Sequence, residues 1–216
     1  EMMYWASVMP PFNELRKDPR RVMEMAKKQD AGGDTPLHYF AEHNNRPAVK
    51  MFIEVGGARV DVKSSHHEGL TPLHSAAGND ACEAATELLL KGADVSRTTS
   101  AGSGGVTALH LAAEGSCPGM ALLLLSCGAK VNCLSIDAGI APLHSAASHG
   151  SSEMVRLLVE QKANVNQVDK RGCTPLHYAA SNCEAEKIRI LVKAGALLDV
   201  PSLNPMTFDD DAKDTP

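Results

Sequence analysis

The sequence has few aromatic residues and no long hydrophobic run. Aromatic residues make up 4% of the 216 positions, with a single Trp, so any core must be built from Leu, Ala, Val and Met. The longest apolar runs, such as residues 120–125, fall far short of the ~18 residues needed to cross a bilayer. No stretch resembles a secretory signal. We therefore expect neither membrane insertion nor secretion.

Cysteine and histidine are present, but not in metal-binding arrangements. No C-x-x-C pair occurs, and no group of Cys and His has zinc-type spacing. The sequence His66-His67-Glu68 lacks a third ligand at a suitable spacing. We expect no metal and no other cofactor, and free thiols of a reducing compartment, which favours the cytoplasm with the nucleus as the alternative. The cysteines stand at positions 82, 117, 127, 133, 173 and 183.

Basic charge is not in excess either. The formal net charge is -5, and residues 198–216 alone carry five acidic residues against one basic residue. Nucleic-acid binding normally requires a basic surface that neutralises phosphates. We therefore expect no nucleic-acid partner.

One motif recurs five times. Each copy opens with Thr-Pro-Leu-His or a close variant, continues into small residues and a Leu-rich stretch, and starts at residue 35, 71, 107, 141 or 174. From each start to the closing residue at 56, 92, 128, 162 or 195 the distance is 21 residues, so all length variation lies in the connector that follows. A constant block has to stack on its neighbours, whereas a connector can extend into solvent.

Each constant block predicts two short helices. Thr before Pro is typical of a helix start, with Thr as the N-cap and Pro at the first helical position. The closing Gly suits the left-handed residue that ends a helix, and the polar connectors predict turns or hairpins. The second helix carries an apolar stripe at i, i+3 and i+4. Its members are Val49/Phe52/Ile53, Ala85/Leu88/Leu89, Ala121/Leu124/Leu125, Val155/Leu158/Val159 and Ile188/Leu191/Val192.

This pattern resembles the ankyrin repeat, whose T-P-L-H-x-A signature and 33-residue period match roughly residues 35–200. The resemblance implies an all-α solenoid of stacked helix-turn-helix pairs with β-hairpin fingers. We predict five ankyrin repeats over 35–206, preceded by a capping or degenerate repeat over 1–34. The Gly-His that often opens the second helix in this family is complete in no copy.

Both ends depart from the repeat. A helix start at Asp18-Pro19 opens a segment that we interpret as a solvated cap, and its basic residues leave a nuclear-targeting or acid-binding patch as the alternative. At the other end, Thr207 lies 33 residues after Thr174, but residues 210–216 also echo residues 30–36. Residues 207–216 are therefore an acidic tail, a partial terminal repeat or a truncated finger, and we expect the chain to be part of a longer protein.

The resemblance also implies structural and partner-facing positions. The motif histidines, at 38, 74, 110, 144 and 177, are expected to hydrogen-bond the backbone of the adjacent turn. Partner-facing residues flank the finger Gly, follow Leu-His, or follow the two small residues. Here they are Asp34, Tyr39, Glu42, His43, His67, Glu68, Leu70, Ser75, Asn79, Ser103, Val106, Leu111, Glu114, Asp137, Ile140, Ser145, Ser148, His149, Lys170, Arg171, Cys173, Tyr178 and Asn182.

Two sets of residues have a chemical alternative to a structural role. Cys82, Cys117 and Cys183 lie near the starts of second helices, where the pKa of a thiol can be lowered. No base recurs beside them, which favours a role as core or semi-buried packing residues. The family resemblance implies possible hydroxylation of Asn132 and Asn166, each of which follows a Leu by eight residues. Plain turn residues are the alternative at these two positions.

Together these features predict a non-catalytic protein-interaction module, an adaptor or scaffold that binds a protein or an extended peptide as a monomeric array. Two other functions stay open: a regulatory or substrate-recruiting region of a larger enzyme such as a ubiquitin ligase, and an inhibitor that covers a basic segment of a transcription factor. We expect the lengthened connectors 56–71 and 92–107 to add specificity. The third copy, with Ala108 for Pro and Gly119 in its second helix, is expected to be the least stable.

Overall fold

A computed structural model describes residue 5, residues 9–65 and residues 69–201. In this part of the chain, two short helices precede five pairs of helices. The helices are α1 Phe12–Leu15, α2 Pro19–Met25, α3 Pro36–Glu42, α4 Arg46–Glu54, α5 Pro72–Gly78, α6 Cys82–Leu90, α7 Ala108–Glu114, α8 Pro118–Ser126, α9 Pro142–Ser148, α10 Ser152–Glu160, α11 Pro175–Ser181 and α12 Ala185–Lys193. None of these described helices is long and apolar enough to span a membrane.

The helix pairs stack in chain order, which confirms the all-α solenoid. The inner helices α3, α5, α7, α9 and α11 each pack on the next, and the outer helices between them do the same. The first two members of the predicted apolar stripe are fully buried in copies one to four, for example Val49 with Phe52 and Val155 with Leu158. Small residues keep the inner helices close in copies two to five, where Ala76, Ala112, Ala146 and Ala179 have no exposed surface; Phe40 takes this position in copy one.

Helix starts follow the predicted chemistry only in part. The Thr before an inner helix makes no side-chain cap hydrogen bond, because its hydroxyl contacts Nδ1 of the motif histidine instead, as Thr71 does at His74 (2.8 Å). Asp18 accepts a hydrogen bond from the backbone N–H of Arg21 (3.2 Å) at the start of α2, as expected for an N-cap before Pro19. The residue between inner and outer helix adopts a left-handed conformation in four copies, at Asn44, Asp80, Ser116 and Cys183. In the fourth copy Gly150 is required for space instead, because a Cβ there would lie 2.4 Å from the Ala113 carbonyl oxygen.

The first outer helix ends differently from the other four. Gly92, Gly128, Lys162 and Gly195 take the left-handed conformation after their helices, as predicted, but in copy one this residue is Gly57 rather than Gly56. The turn there is one residue longer. Gly56 is needed for close packing instead, because a Cβ would stand 2.9 Å from the Ala26 Cβ. Ala26 itself follows α2, so this contact joins the N-terminal helices to the first repeat.

The connectors form fingers without regular strands. Among the described residues, the single isolated β-bridge pairs Thr98 with Thr107, so the predicted β-hairpins are reduced to hydrogen-bonded loops. One backbone hydrogen bond closes each of the lengthened fingers, for example from Thr99 N to Val106 O (2.9 Å). We number the fingers by the repeat that each precedes: 30–34, 64–70, 99–106, 135–140 and 169–173. The tail lies outside the described residues, and its assignment remains a prediction.

Candidate protein-binding surface

The motif histidines fix each inner helix to the next finger. His38 Nε2 lies 3.1 Å from Leu70 O. The same contact recurs from His74 to Val106 O (3.1 Å), from His110 to Ile140 O (2.9 Å) and from His144 to Cys173 O (3.1 Å). This confirms the predicted role for four of the five histidines. The finger that would follow His177 falls beyond the described residues.

The hydrogen bonds also define the protonation of these rings. A carbonyl oxygen only accepts, so Nε2 carries the proton and Nδ1 accepts. At His74 that acceptor receives the backbone N–H of Thr71 (3.2 Å) and its hydroxyl (2.8 Å). Burial lowers the pKa of His74 and of His110 to about 4, and it also lowers the pKa of His38 and His144. The rings are neutral structural groups at neutral pH.

A polar residue at the base of each finger sets the finger's shape. Its side-chain oxygen accepts the N–H of the residue just before the next repeat, as Ser135 Oγ does from Ile140 N (3.1 Å). This position was not predicted from the sequence, and its distance from the start of the repeat that follows varies from 5 to 8 residues between copies. The five finger-base residues are Asp30, Ser64, Thr99, Ser135 and Asp169.

The inner helices present a continuous strip of accessible side chains. Because successive inner helices pack directly on one another, equivalent positions align along the array. The residues at the C-terminal ends of these helices are exposed: His43, Asn79, Glu114, His149 and Asn182. Half-buried residues complete the strip: Tyr39, Glu42, Ser75, Leu111, Ser148 and Tyr178.

The fingers extend this strip along one edge. Asp137, Lys170 and Arg171 are exposed, whereas Asp34, Leu70, Ser103, Val106 and Ile140 are half-buried. His67 and Glu68 lie outside the described residues. We call the accessible inner-helix and finger residues together the inner strip.

Two of the predicted partner-facing residues do not belong to the strip. Cys173 and Ser145 are each only 7% exposed, because the neighbouring repeat covers them, so we leave both out.

Asp137 is exposed, but its Oδ2 accepts hydrogen bonds from Gly102 N (2.7 Å) and Gly104 N (2.8 Å). Its carboxylate fixes the Gly-rich third finger against the fourth.

Finger five and α11 are joined by a polar cluster. The Arg171 guanidinium donates to the Tyr178 hydroxyl (2.7 Å), which donates to Asp169 Oδ2 (2.8 Å). Burial raises the pKa of Tyr178, and the Asp169 carboxylate raises it further, so the hydroxyl stays protonated. Burial would raise the pKa of Asp169, but hydrogen bonds from the Cys173 N–H, Tyr178 and the Arg171 N–H hold it below its ordinary value. The cluster presents one oriented guanidinium on the inner strip.

Three exposed apolar residues were missed by the sequence analysis. Leu134, Ile136 and Val168 are 47%, 49% and 43% exposed, and they lie on or directly before fingers four and five. The signal was present in the sequence, since Leu134 and Val168 stand where the two preceding connectors have Lys63 and Thr98.

The cysteines do not form a reactive site in the described residues. Burial raises the pKa of Cys82 to about 11, and the nearby Asp80 carboxylate adds to this; the pKa of Cys117 is raised for the same two reasons. A lowered pKa is therefore wrong for these two thiols, and their interpretation as core or semi-buried residues holds. Cys183 is exposed, so that interpretation is wrong for the third thiol. No group of three potential metal ligands occurs within residues 9–65 and 69–201.

Asn132 and Asn166 both connect neighbouring repeats. Asn132 Oδ1 accepts from Asn164 N (2.8 Å), and Asn166 Oδ1 accepts from Leu197 N (2.9 Å). The side chain of Asn166 also donates to Gly195 O (3.1 Å). These bonds support the turn-residue role, and hydroxylation of either side chain stays a prediction.

Comparison with known families agrees with this geometry. A family model described as ankyrin repeats (3 copies) matches residues 17–99 and 109–202. The chain belongs to the ankyrin-repeat family. The matched residues include α2 and all five helix pairs.

The similar curated proteins are longer than this chain. The human B-cell lymphoma 3 protein is 30% identical over 152 residues, which cover 67% of this chain and 32% of that protein. Its mouse homolog is 32% identical over 199 residues, covering 75% and 43%. The tyrosine-protein kinase HTK16 of Hydra vulgaris is 31% identical over 134 residues, covering 62% and 17%. The chain thus spans less than half the length of each of these relatives.

Proposed function

We propose that this chain is a non-catalytic module that binds a protein or an extended peptide along the inner strip. The observation that carries this proposal is the continuous alignment of accessible side chains on five stacked inner helices, beside fingers held by buried histidines. Because the strip runs along five stacked repeats, it favours a partner that extends over several of them. We place the protein in the cytoplasm or nucleus, as a monomer, with no nucleic-acid partner.

Site-specific photo-cross-linking tests this assignment. A photoreactive phenylalanine analogue at Leu111, on the inner strip, should yield protein adducts in cells that express the full-length protein. The matched control places the same group at Leu122, which is 47% exposed on the outer helix α8. Adduct formation at Leu122 that equals or exceeds adduct formation at Leu111 would refute binding along the inner strip.

A second candidate function is the interaction region of a larger enzyme. Two relatives are named tyrosine-protein kinases, HTK16 of Hydra vulgaris and Shark of Drosophila melanogaster, and the chain covers 17% and 10% of them. Similarity confined to so small a share of each enzyme favours a recruiting or regulatory role over catalysis. The sequence of the full-length protein decides this directly, through the presence or absence of a catalytic domain.

A third candidate function is inhibition, in which the chain binds and covers a basic segment of another protein. Asp34 and Glu42 in copy one and Glu114 in copy three are acidic residues in the N-terminal part of the inner strip. Attraction between exposed charges weakens with salt, so binding of a basic peptide should fall steeply as ionic strength rises. Salt-independent affinity would count against this candidate.

A further inference from the structure

The three apolar residues beside fingers four and five lie outside the core, although Ile136 also packs over Gly105 of finger three, where a Cβ would stand 2.4 Å from the Ile136 Cβ. None of Leu134, Ile136 and Val168 belongs to the hydrophobic core or to the half-buried side chains packed against it. Leu134 and Val168 directly precede their finger-base residues, a position that Lys63 and Thr98 occupy in the two preceding connectors. Clustered exposed apolar side chains typically mark an interaction site. We call these three residues the apolar finger patch.

Hydrogen bonds between neighbouring fingers hold this patch in one arrangement. Ile136 N donates to Gly105 O (3.1 Å), and Lys170 N donates to Ala138 O (3.0 Å). The Lys170 ammonium also donates to Ile136 O (2.6 Å). The patch is therefore ordered before any partner arrives, which reduces the entropy lost on binding.

The charge that surrounds the patch is positive. Lys130, Lys170 and Arg171 are exposed. Of the two carboxylates of these fingers, Asp169 has 0% side-chain exposure and pairs with Arg171 (Nε to Oδ2, 3.4 Å), and Asp137 is exposed but accepts the N–H groups of finger three, so three basic groups face one exposed carboxylate. The Arg171 guanidinium is oriented by Tyr178, with its carbon 5.7 Å from the ring centroid. An oriented guanidinium is well suited to carboxylate groups.

We propose that fingers four and five bind an extended segment in which apolar side chains alternate with carboxylates. The apolar side chains contact Leu134, Ile136 and Val168, and the carboxylates contact Arg171 and Lys170. This inference rests on the proposed function, because it specifies which protein chemistry the C-terminal half of the inner strip accepts. It also predicts a polarity along the array, with basic partner residues near the acidic residues of copies one and three.

Titration of the chain with three synthetic peptides tests the proposal. Each has about 12 residues, enough to extend across two fingers. One alternates Leu with Glu, the second Leu with Lys, and the third Ser with Glu. In ¹H–¹⁵N spectra, the Leu–Glu peptide should shift the amides of residues 134–140 and 168–173, and the other two peptides should not.

Variants then separate the apolar and charged contributions. Leu134→Ser combined with Val168→Ser should weaken Leu–Glu peptide binding by about fivefold or more, and Arg171→Gln by about threefold. The matched controls are Leu90→Ser, whose side chain is 69% exposed on α6, and Arg189→Gln, whose side chain is 71% exposed on α12. Thermal unfolding of each variant verifies that the fold is intact.

Three outcomes overturn the inference. These are no amide shift in fingers four and five with the Leu–Glu peptide, equal binding of the Leu–Lys peptide, and wild-type affinity of the patch variants. None of them decides the proposed function, because cross-linking at Leu111 reports on the inner strip independently of these fingers.

Discussion

The buried motif histidines link two properties of the molecule, finger position and acid sensitivity. Each ring donates through Nε2 to a carbonyl of the next finger and accepts through Nδ1, so a second proton would break the Nδ1 contacts. Because the pKa of His74 and His110 is lowered to about 4, the folded protein resists protonation that the unfolded chain accepts near pH 6.5. These histidines therefore lower stability as the pH falls.

We predict that these histidines leave the free energy of unfolding unchanged above about pH 6.5 and reduce it progressively as the pH falls from about 6.5 to about 4. In that window the unfolded state binds more protons, and each of His74 and His110 contributes a loss of up to about 3 kcal/mol by pH 4. Urea unfolding between pH 7.5 and pH 4.5 measures this decline. Carboxylates add their own dependence below about pH 5, so the comparison is with His110→Gln, whose decline should be shallower. An unchanged slope in that variant would contradict the assignment.

A second residue-level prediction concerns the connectors. Asp61, Asn132 and Asn166 accept an N–H of the next repeat, but Ser96, at the equivalent position, bonds within its own connector to Asp94 (2.6 Å). Its side chain is too short to reach the next repeat. Ser96→Asn should therefore add a hydrogen bond to Lys130 N and stabilise the protein by about 1 kcal/mol.

The reciprocal change provides the control for this prediction. Asn132→Ser removes the bond to Asn164 N and should destabilise the protein by a similar amount, about 1 kcal/mol. Chemical denaturation of both variants measures the two differences. Equal stability of the two variants would show that this connector bond contributes nothing.

At the scale of elements, the sequence predicted the positions of the helix pairs well and the conformation of the connecting loops poorly. Thr-Pro starts and the apolar stripe act locally, so the helix pairs and their burial followed from periodicity alone. The shift from Gly56 to Gly57 was not predictable, because it depends on packing against Ala26 from outside the repeat. The fingers lack regular strands since their hydrogen bonds run to side chains and neighbouring fingers, and the burial of Cys173 likewise arises only on stacking.

Gly119 and Gly150 both lie near the start of an outer helix, but substitution by Ala should change stability in opposite directions at the two positions. Gly119 lies in the first turn of α8, and a Cβ there would meet only Cys82 Sγ at 3.9 Å, so Gly119→Ala should stabilise by about 0.5 kcal/mol. A Cβ at Gly150 would lie 2.7 Å from Ala146 Cα, so Gly150→Ala should destabilise by about 2 kcal/mol. Thermal unfolding distinguishes the two, and a loss of stability in Gly119→Ala would contradict the packing described here.

At the scale of the whole molecule, stability and recognition follow from nearest-neighbour stacking. Each repeat contacts only its neighbours, so a weak helix pair lowers stability locally. The third copy combines Ala108 at its helix start, Gly119 in α8 and the missing connector bond at Ser96. Finger three, by contrast, is fixed by Asp137. The weakness is thus expected in the outer helix rather than in the finger.

Hydrogen exchange of the free protein tests this distribution. We predict faster amide exchange in α8 than in α10, which packs in the array with a Ser N-cap and a continuous apolar stripe. Mass spectrometry of peptides that cover the two helices provides the measurement. Equal protection of the two helices would remove the argument for a weak third copy.

The central claim is that partners bind along the inner strip, and a hydrogen-exchange footprint of the complex tests it most directly. Deuterium uptake is compared between the free protein and its complex with the protein cross-linked through Leu111. Our account predicts protection in the fingers and in the ends of the inner helices, at residues 39–43, 75–79, 111–115, 145–149 and 178–182, with the outer helices unchanged. Protection confined to the outer helices α4, α6, α8, α10 and α12 would contradict it.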